Sequence, residues 1–254
     1  MLHDLEKTMF DFINDKTDKT PGKVFFSVED KYGKFVIRNG TYRGEEARLY
    51  EVDGVRESAS FFDEKKYDLV FDYAKSFLNL FDIMPGARNI LMLGGAGFQF
   101  PKYVISHYPE MIMDVVEINP LAVRLARKYF FLNDLERDFR AESEGRLNIV
   151  LADGMDYFRT EDKKYDIIIN DAYHSNLPDQ GLTSPEGTRL IKEHLSPGGV
   201  YGFNLITSIA GKDSMPLMMT RNILSYAFED VSYIICSPDV KPDVVQNLLF
   251  ISRA

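Results

Sequence analysis

Three carboxylates stand at the ends of short apolar runs and are the side chains best placed to do chemistry: Glu117, Asp153 and Asp171. Runs of this length, bounded by turn residues, are typical of parallel strands that are covered on both faces. In an open sheet of such strands, ligands bind beyond the carboxyl ends. We therefore expect the three acids to face one site.

A glycine turn precedes these acids and follows the apolar run 89–93. The turn consists of four small residues: Gly94, Gly95, Ala96 and Gly97. Glycine lets the backbone approach a ligand closely, and the N-terminus of the helix that follows carries partial positive charge. Glu117 lies about 20 residues further on, the spacing at which an acid binds ribose hydroxyls in nucleotide-binding βαβ units.

These features predict a nucleoside site. Glu117 would accept hydrogen bonds from ribose hydroxyls, and Asp153 would accept one from an adenine amino group. A dinucleotide fingerprint wants a third glycine where Phe100 stands. The apolar segments 231–237 and 246–252 are joined by a short connection, which favours an antiparallel hairpin that dehydrogenase folds lack. We therefore expect an adenosyl site rather than a dinucleotide site.

The spacing of apolar residues changes twice in the segments before the glycine turn. Residues 1–18 have the spacing of a short amphipathic helix. Residues 23–62 alternate with period two, and turn pairs at Asn39-Gly40 and Asp53-Gly54 predict β-hairpins. Residues 63–84 then return to helical spacing, which predicts one amphipathic helix.

We predict an α/β fold in two parts. Residues 1–63 form an N-terminal segment with a small β-hairpin domain, and residues 64–254 form a Rossmann-like adenosyl-binding domain. A helix over 121–131 follows the Asn119-Pro120 cap, and the polar segment 172–185 is expected to be an active-site loop.

The composition argues against several kinds of partner and site. A net charge of −9 argues against a nucleic-acid partner, because phosphate binding needs a basic surface. The single cysteine, Cys236, excludes an intramolecular disulfide and a cysteine-cluster metal site. Acids interrupt the N-terminus where a signal peptide would be apolar, and no apolar run has the length of a membrane span. We expect a cytoplasmic protein without a membrane or metal partner.

The motifs together resemble the spermidine synthase family over nearly the whole chain from about Phe25. The segments that carry the resemblance occur in the family's order and spacing: Gly94-Gly95-Ala96-Gly97, Val116-Glu117-Ile118-Asn119, Leu151-Ala152-Asp153-Gly154, Tyr165-Asp166-Ile167-Ile168-Ile169-Asn170-Asp171 and Leu195-Ser196-Pro197-Gly198-Gly199. Each motif alone is weak, and the set is fairly specific.

The resemblance implies a class I methyltransferase fold with a small N-terminal β domain, a homodimer and a role in polyamine biosynthesis. The cosubstrate would be decarboxylated S-adenosylmethionine, bound by the glycine turn and by Glu117, Ile118, Asp153, Gly154 and Asp171. An amine such as putrescine would attack its aminopropyl carbon. Asp171 would act as the base, since an ammonium has no lone pair for attack.

The residues expected at the amine depart from the family pattern. Gly97 stands where the family carries an aspartate, and His174 stands near the position of a second aspartate. Glu57 matches a family glutamine, and Tyr67 matches the amine-binding tyrosine but is followed by Asp68-Leu69 instead of His-Glu. With Tyr173, these side chains are the candidate substrate contacts.

Two questions stay open at the level of sequence. Histidine can act as a base near neutral pH, so His174 is either a second base beside Asp171 or a loop histidine in water. The reaction is aminopropyl transfer to an amine, methyl transfer from S-adenosylmethionine to another acceptor, or none, in a nucleoside-binding dimer that has lost its chemistry. The pattern resembles a divergent spermidine synthase-like branch, and we expect a diverged aminopropyltransferase.

Overall fold

The fold is described from a computed structural model that covers residues 22–174 and 177–254. The amphipathic helix expected over residues 1–18 lies outside the described residues.

The first sheet is antiparallel and has the order β1-β2-β3-β4. Its strands are β1 (Val24–Asp30), β2 (Gly33–Tyr42), β3 (Glu45–Val52) and β4 (Val55–Ser60). The buried residues of β2, Phe35 and Ile37, alternate as expected for a sheet with one covered face, whereas residues 49–52 of β3 are all buried. The expected small N-terminal β structure is therefore present.

One of the two expected hairpin turns is wrong. Asn39 and Gly40 lie inside β2, where Asn39 pairs with Arg48 of β3. The Asn39 side chain also accepts a hydrogen bond from Arg48 Nε at 2.7 Å. The turn falls instead at Arg43-Gly44, where both residues have positive φ, as hairpin turns with the native strand twist require. The turn at Asp53-Gly54 is confirmed by the same geometry.

The single helix expected over residues 63–84 is also wrong. The segment forms a 3₁₀ turn (Asp63–Lys65) and two short helices, α1 (Asp72–Ser76) and α2 (Asn79–Ile83). Before α1 the backbone is extended at Phe71, and the Val70 amide donates to Gln99 Oε1 at 3.1 Å. A contact with a distant residue thus replaces the local hydrogen bonds that helical spacing predicted.

The second sheet has seven strands in the order β12-β13-β11-β8-β5-β6-β7. Its strands are β5 (Asn89–Leu93), β6 (Ile112–Glu117), β7 (Leu147–Leu151), β8 (Tyr165–Asn170), β11 (Leu195–Thr207), β12 (Val231–Ile235) and β13 (Gln246–Arg253). The strands β5, β6, β7, β8 and β11 run parallel, whereas β13 is antiparallel to both β11 and β12. The expected C-terminal antiparallel hairpin is confirmed.

Helices cover both faces of this sheet. They are α3 (Gln99–His107), α4 (Pro120–Tyr129), α5 (Leu132–Phe139), α6 (Gly154–Thr160), α7 (Pro185–Glu193) and α8 (Met215–Leu224). α4 begins at the expected Asn119 cap, whose side chain accepts from the Leu121 amide at 2.8 Å. It ends two residues early, because Phe131 takes a left-handed conformation and starts the separate helix α5.

The loop after β8 carries the two-residue strands β9 (Tyr173–His174) and β10 (Leu177–Pro178), which pair with each other. β11 begins at Leu195, and its pairing with β8 is irregular between Leu195 and Val200, across the Pro197-Gly198-Gly199 segment.

The two sheets share a hydrophobic cluster. Phe35, Tyr50 and Val52 of the first sheet pack with Leu125 and Phe130 at the end of α4. The first sheet is therefore fixed against the second, and the boundary at residue 63 stays a prediction. Among the described residues, none of the helices combines the length and apolarity that crossing a membrane needs.

Candidate functional site

A cavity of about 240 Å³ lies at the carboxyl ends of β5, β6, β7 and β8, with the first sheet as its opposite wall. Eleven of the thirteen residues expected at the site line it: Glu57, Gly94, Gly95, Ala96, Glu117, Ile118, Asp153, Gly154, Asp171, Tyr173 and His174. Gly97 and Tyr67 are not among the lining residues. The three acids that follow strands therefore meet at one site.

Glu117 is buried and holds the glycine turn. Its Oε2 accepts hydrogen bonds from the Gly95 and Ala96 amides at 2.8 and 3.1 Å, and its Oε1 accepts from the Asn119 amide at 2.8 Å. A carboxylate has about four acceptor positions, so capacity for a ligand hydroxyl remains. Glu117 thus shapes the turn as well as lining the cavity.

The turn has little space for side chains. Gly94 has a φ of +90°, and a Cβ there would lie 2.6 Å from the Asp171 carbonyl oxygen. Only glycine fits this left-handed position so close to another backbone. The glycine therefore lets the turn pack against the backbone of the loop that follows β8.

Gly97 lies against β4 and the Phe130 ring. A Cβ at this position would lie 2.6 Å from Ser58 Oγ of β4 and 3.4 Å from the Phe130 ring. The absence of a side chain allows β4 to pack against the turn. The expected contact between the Gly97 backbone and the cosubstrate stays a prediction.

The far end of the cavity is more apolar. Ile118 and Leu182 line it together with Gly154, and Ile118 is 37% exposed. Asp153 caps α6, because its Oδ1 accepts from the Met155 amide at 2.8 Å. The expected contact between Asp153 and an adenine amino group stays a prediction.

Asp171 has the properties of a base near neutral pH. Its Oδ1 accepts a hydrogen bond from Asn204 Nδ2 at 2.8 Å. Burial raises the pKa of Asp171 from 3.8 to about 7, and the Asn204 bond opposes part of that rise. A carboxyl group with such a pKa exchanges its proton readily at physiological pH.

Glu57 brings a second carboxyl group to the same cavity. In β4, Ser58 pairs with Tyr50 and Arg56 pairs with Glu51, so Glu57 is the extra residue of a β-bulge. Bulges re-aim side chains next to active sites. Burial, followed by the nearby charges of Glu117 and Asp171, raises the pKa of Glu57 well above its usual range.

Two loop residues after β8 differ in their surroundings: Tyr173 is bonded to β11, and His174 is half-exposed. The Tyr173 hydroxyl donates to the Asn204 carbonyl at 2.8 Å and accepts from the Ile206 amide at 3.2 Å, which ties the loop to β11. His174 is half-exposed, and its Nε2 lies 2.9 Å from Asp179 Oδ2. The partner of His174 is therefore Asp179, and its role as a second base stays a prediction.

Tyr67 lies away from the cavity. Its hydroxyl donates to Asp138 Oδ2 at 2.8 Å, and its ring packs edge-on against Phe139. Tyr73 lines the cavity instead, and its hydroxyl donates to the Glu57 carbonyl at 3.0 Å. The helical spacing that we expected over residues 63–84 gave no reason to prefer Tyr73 over Tyr67.

Sequence reasoning also missed several polar lining residues: Tyr73, Gln99, Asp179, Asn204 and Asn247. Asn204 lies near the carboxyl end of β11, so the rule that located the three acids could have found it. Within residues 22–174 and 177–254, no group of three or more His, Cys, Asp or Glu side chains is arranged to hold a metal ion.

Comparisons with known proteins agree with this geometry. The spermine/spermidine synthase domain matches residues 78–240, which is well over half of the chain. A polyamine aminopropyltransferase from Chromobacterium violaceum is 29% identical over 137 residues, which cover 54% of this chain and 49% of that protein. The human eEF1A lysine and N-terminal methyltransferase is 28% identical over 156 residues, which cover 53% of this chain and 21% of that protein.

The fold has a close structural counterpart. A spermidine synthase in complex with the transition state analogue AdoDATO superposes with a TM-score of 0.69 at 19% identity, covering 91% of this chain and 74% of that one. This likeness confirms the expected class I methyltransferase fold with its N-terminal β sheet. The chain spans about half the length of the polyamine aminopropyltransferase and about a fifth of the human methyltransferase. Because the domain match covers most of the second sheet and both sequence relatives are transferases, the chain belongs to the spermine/spermidine synthase domain family.

Proposed function

We propose that the protein is an aminopropyltransferase that moves an aminopropyl group from decarboxylated S-adenosylmethionine to an amine. One observation carries the proposal: Glu57 and Asp171 line the same cavity, next to the glycine turn, and both have raised pKa values. Two buried carboxyl groups are costly unless a cation joins them. A bound amine supplies that cation.

The residues of the cavity fit an adenosyl ligand. The backbone of Gly94 and Gly95 would lie along its chain, Glu117 would accept from its ribose, and the apolar end beside Ile118 would take the adenine. When bound, the ligand supplies a sulfonium, whose sulfur leaves as a neutral thioether.

Asp171 carries the chemical step. Its carboxylate takes a proton from the ammonium of the acceptor, which frees the nitrogen lone pair. The nitrogen forms a bond to the aminopropyl carbon while the bond between that carbon and sulfur breaks, and the electron pair goes to sulfur. Glu57 balances the positive charge of the acceptor, and the cavity holds the two reactants in line.

The test combines binding with turnover. Calorimetry compares S-adenosylmethionine, its decarboxylated form and methylthioadenosine, and a coupled assay follows aminopropyl transfer to putrescine and longer amines. We expect preference for the decarboxylated ligand and a loss of transfer by about 10²–10⁴-fold in Asp171→Asn, with the binding of methylthioadenosine retained. Preference for the carboxylated ligand without aminopropyl transfer would refute the proposal.

A second candidate is methyl transfer from S-adenosylmethionine. Arg56 lines the cavity and is only 4% exposed; its Nε lies 3.8 Å from Glu51 Oε1, and a ligand carboxylate would be a second anionic partner for the same guanidinium. The position of Gly97 also lacks the family's aspartate for the aminopropyl amine. The calorimetry above separates the two candidates, because only this one requires the carboxylated ligand.

Three finer expectations belong to the same proposal. The acceptor is a small molecule, the protein acts as a homodimer, and it works in the cytoplasm in polyamine biosynthesis. Sedimentation at micromolar concentration tests the dimer, and the polyamine content of cells that lack the protein tests the pathway.

A further inference from the structure

Two asparagines form a hydrogen-bonded chain that ends on Asp171. Asn247 Nδ2 donates to Asn204 Oδ1 at 3.0 Å, and Asn204 Nδ2 donates to Asp171 Oδ1 at 2.8 Å. Asn204 is 2% exposed, and both asparagines line the cavity. They come from β11 and β13, which pair antiparallel in a register that places Asn247 opposite Ile206.

The chain has a direction. A side-chain amide has one acceptor end and one donor end. Because Asn247 occupies the acceptor end of Asn204, Asn204 presents its NH₂ group to Asp171. That group matches an ionised carboxylate, which only accepts hydrogen bonds. If Asn204 turned over, its oxygen would face Asp171 and would need a protonated carboxyl group as donor.

The backbone around Asn204 is also fixed. Its carbonyl accepts from the Tyr173 hydroxyl, and that hydroxyl accepts from the Ile206 amide. Tyr173 lies two residues after Asp171, so the loop that carries the acid and the strand that carries the amide are tied together. The distance between Asn204 and Asp171 is thereby held from both sides.

We propose that Asn204 and Asn247 are positioning residues that hold the Asp171 carboxylate ionised and in one orientation, with Asn247 acting through Asn204. The role of Asp171 as base rests on the proposed function, but the effect of the pair on its ionisation does not. Burial and the asparagine chain act on Asp171 in opposite directions. The balance leaves the acid able to release a proton and to accept one.

Other titratable groups surround Asp171 and must stay constant in the test. They are Glu57 on the β4 bulge, Tyr73 on α1, Glu117 at the end of β6, Tyr173 on β9 and Cys236 after β12. None of them is changed in the variants below, so a difference between variants reports the asparagine chain.

The experiment is a titration of Asp171 by NMR of protein labelled with ¹³C at the aspartate carboxyl carbons, with the resonance assigned by its loss in Asp171→Asn. Removing the donor in Asn204→Ala should raise the pKa of Asp171 by about one unit. Asn247→Ala should raise it by less, because Asn204 remains but is free to turn over. The double variant should match Asn204→Ala, since Asn247 acts only through its neighbour.

A matched control removes another asparagine that bonds a carboxylate. Asn148 Nδ2 donates to Asp114 Oδ1 at 2.8 Å, away from the cavity. Asn148→Ala should leave the Asp171 titration unchanged. If Asn204→Ala does not fold, Asn204→Ser serves in its place, and Asn247→Ala tests the chain independently, because Asn247 is only part-buried.

The outcomes are distinct. An unchanged Asp171 titration in the Asn204 variant, or additive shifts in the double variant, would overturn the proposal. The titration needs no substrate, so failure of aminopropyl transfer leaves its result intact. Where transfer is present, the acidic limb of the pH–rate profile should move upward with the measured pKa, a change that a purely structural role would not produce.

Discussion

Replacing Asp171 by asparagine should make the protein more stable above neutral pH. The variant keeps the shape of the side chain and an oxygen that accepts the Asn204 hydrogen bond. It removes a carboxyl group whose pKa burial raises from 3.8 to about 7. Because the proposed function needs this group and the fold does not, activity and stability should move in opposite directions.

The sign and size follow from proton linkage. Since the folded pKa of Asp171 lies above the unfolded value, the folded protein binds more protons between pH 4 and 7, and its stability falls as the pH rises through that window. A shift of about 3 units corresponds to about 4 kcal/mol at pH 8, as an upper figure before relaxation. Between pH 5 and pH 8 the advantage of Asp171→Asn should grow by about 2.5 kcal/mol.

Urea unfolding of the ligand-free protein at several pH values measures this difference. The control is Asp162→Asn, which changes an exposed carboxylate in the loop before β8 and should show no pH-dependent gain. If Asp171→Asn has the stability of wild type at pH 8, or a gain that is the same at pH 5, then Asp171 is not held in an unfavourable ionised state and the reasoning fails.

Four further changes test other parts of the site. Glu117→Ala removes the acceptor for three backbone amides, and calorimetry should find methylthioadenosine binding weakened by at least tenfold; retained affinity would contradict the ribose role. Glu57→Gln should weaken the binding of the cationic acceptor by about 10–100-fold and leave methylthioadenosine unaffected, and equal losses for both ligands would argue against a charge role. Gly97→Ala should cost about 1–3 kcal/mol in thermal unfolding because its Cβ meets Ser58, and Ser58→Gly in the same chain should recover part of that loss. Burial lowers the pKa of Lys102 to about 7. The stability of the wild-type protein in urea unfolding should therefore rise between pH 7 and 9, and the stability of Lys102→Met should not. Parallel stability curves for the two proteins would refute this.

The sequence predicted those parts of the fold that local pattern determines. Buried strands with acids at their ends located Glu117, Asp153 and Asp171, and the structure brings all three to one cavity. The closing hairpin followed from two apolar runs with a short connection. These features depend on residues that are close in the chain or on a rule about sheet edges.

The errors have a common physical cause. The expected helix over residues 63–84 is broken where Val70 bonds to Gln99, a partner 29 positions away. The turn expected at Asn39-Gly40 lies at Arg43-Gly44 instead. The pairing of β2 with β3 decides which of the two residue pairs takes the turn conformation. Contacts over such distances leave no periodic signal in the sequence.

The asparagine pair was missed for the same reason. Asn204 and Asn247 belong to no motif and lie 43 positions apart. Only the antiparallel register of β11 and β13 brings their side chains together. A polar residue inside an apolar strand was the one available signal, because buried amides are retained where they have partners.

Because Glu57 is the extra residue of a β-bulge, the number of residues in β4 determines which of its side chains face the cavity. Neighbouring residues of a regular strand point to opposite faces, yet Arg56, Glu57 and Ser58 all line the cavity, and the bulge at Glu57 accounts for this run. Deleting one residue from β4 would leave an acid in the sequence and still take it out of the cavity. A redesign of the acceptor pocket therefore has to keep the number of residues between Val55 and Ser60 unchanged.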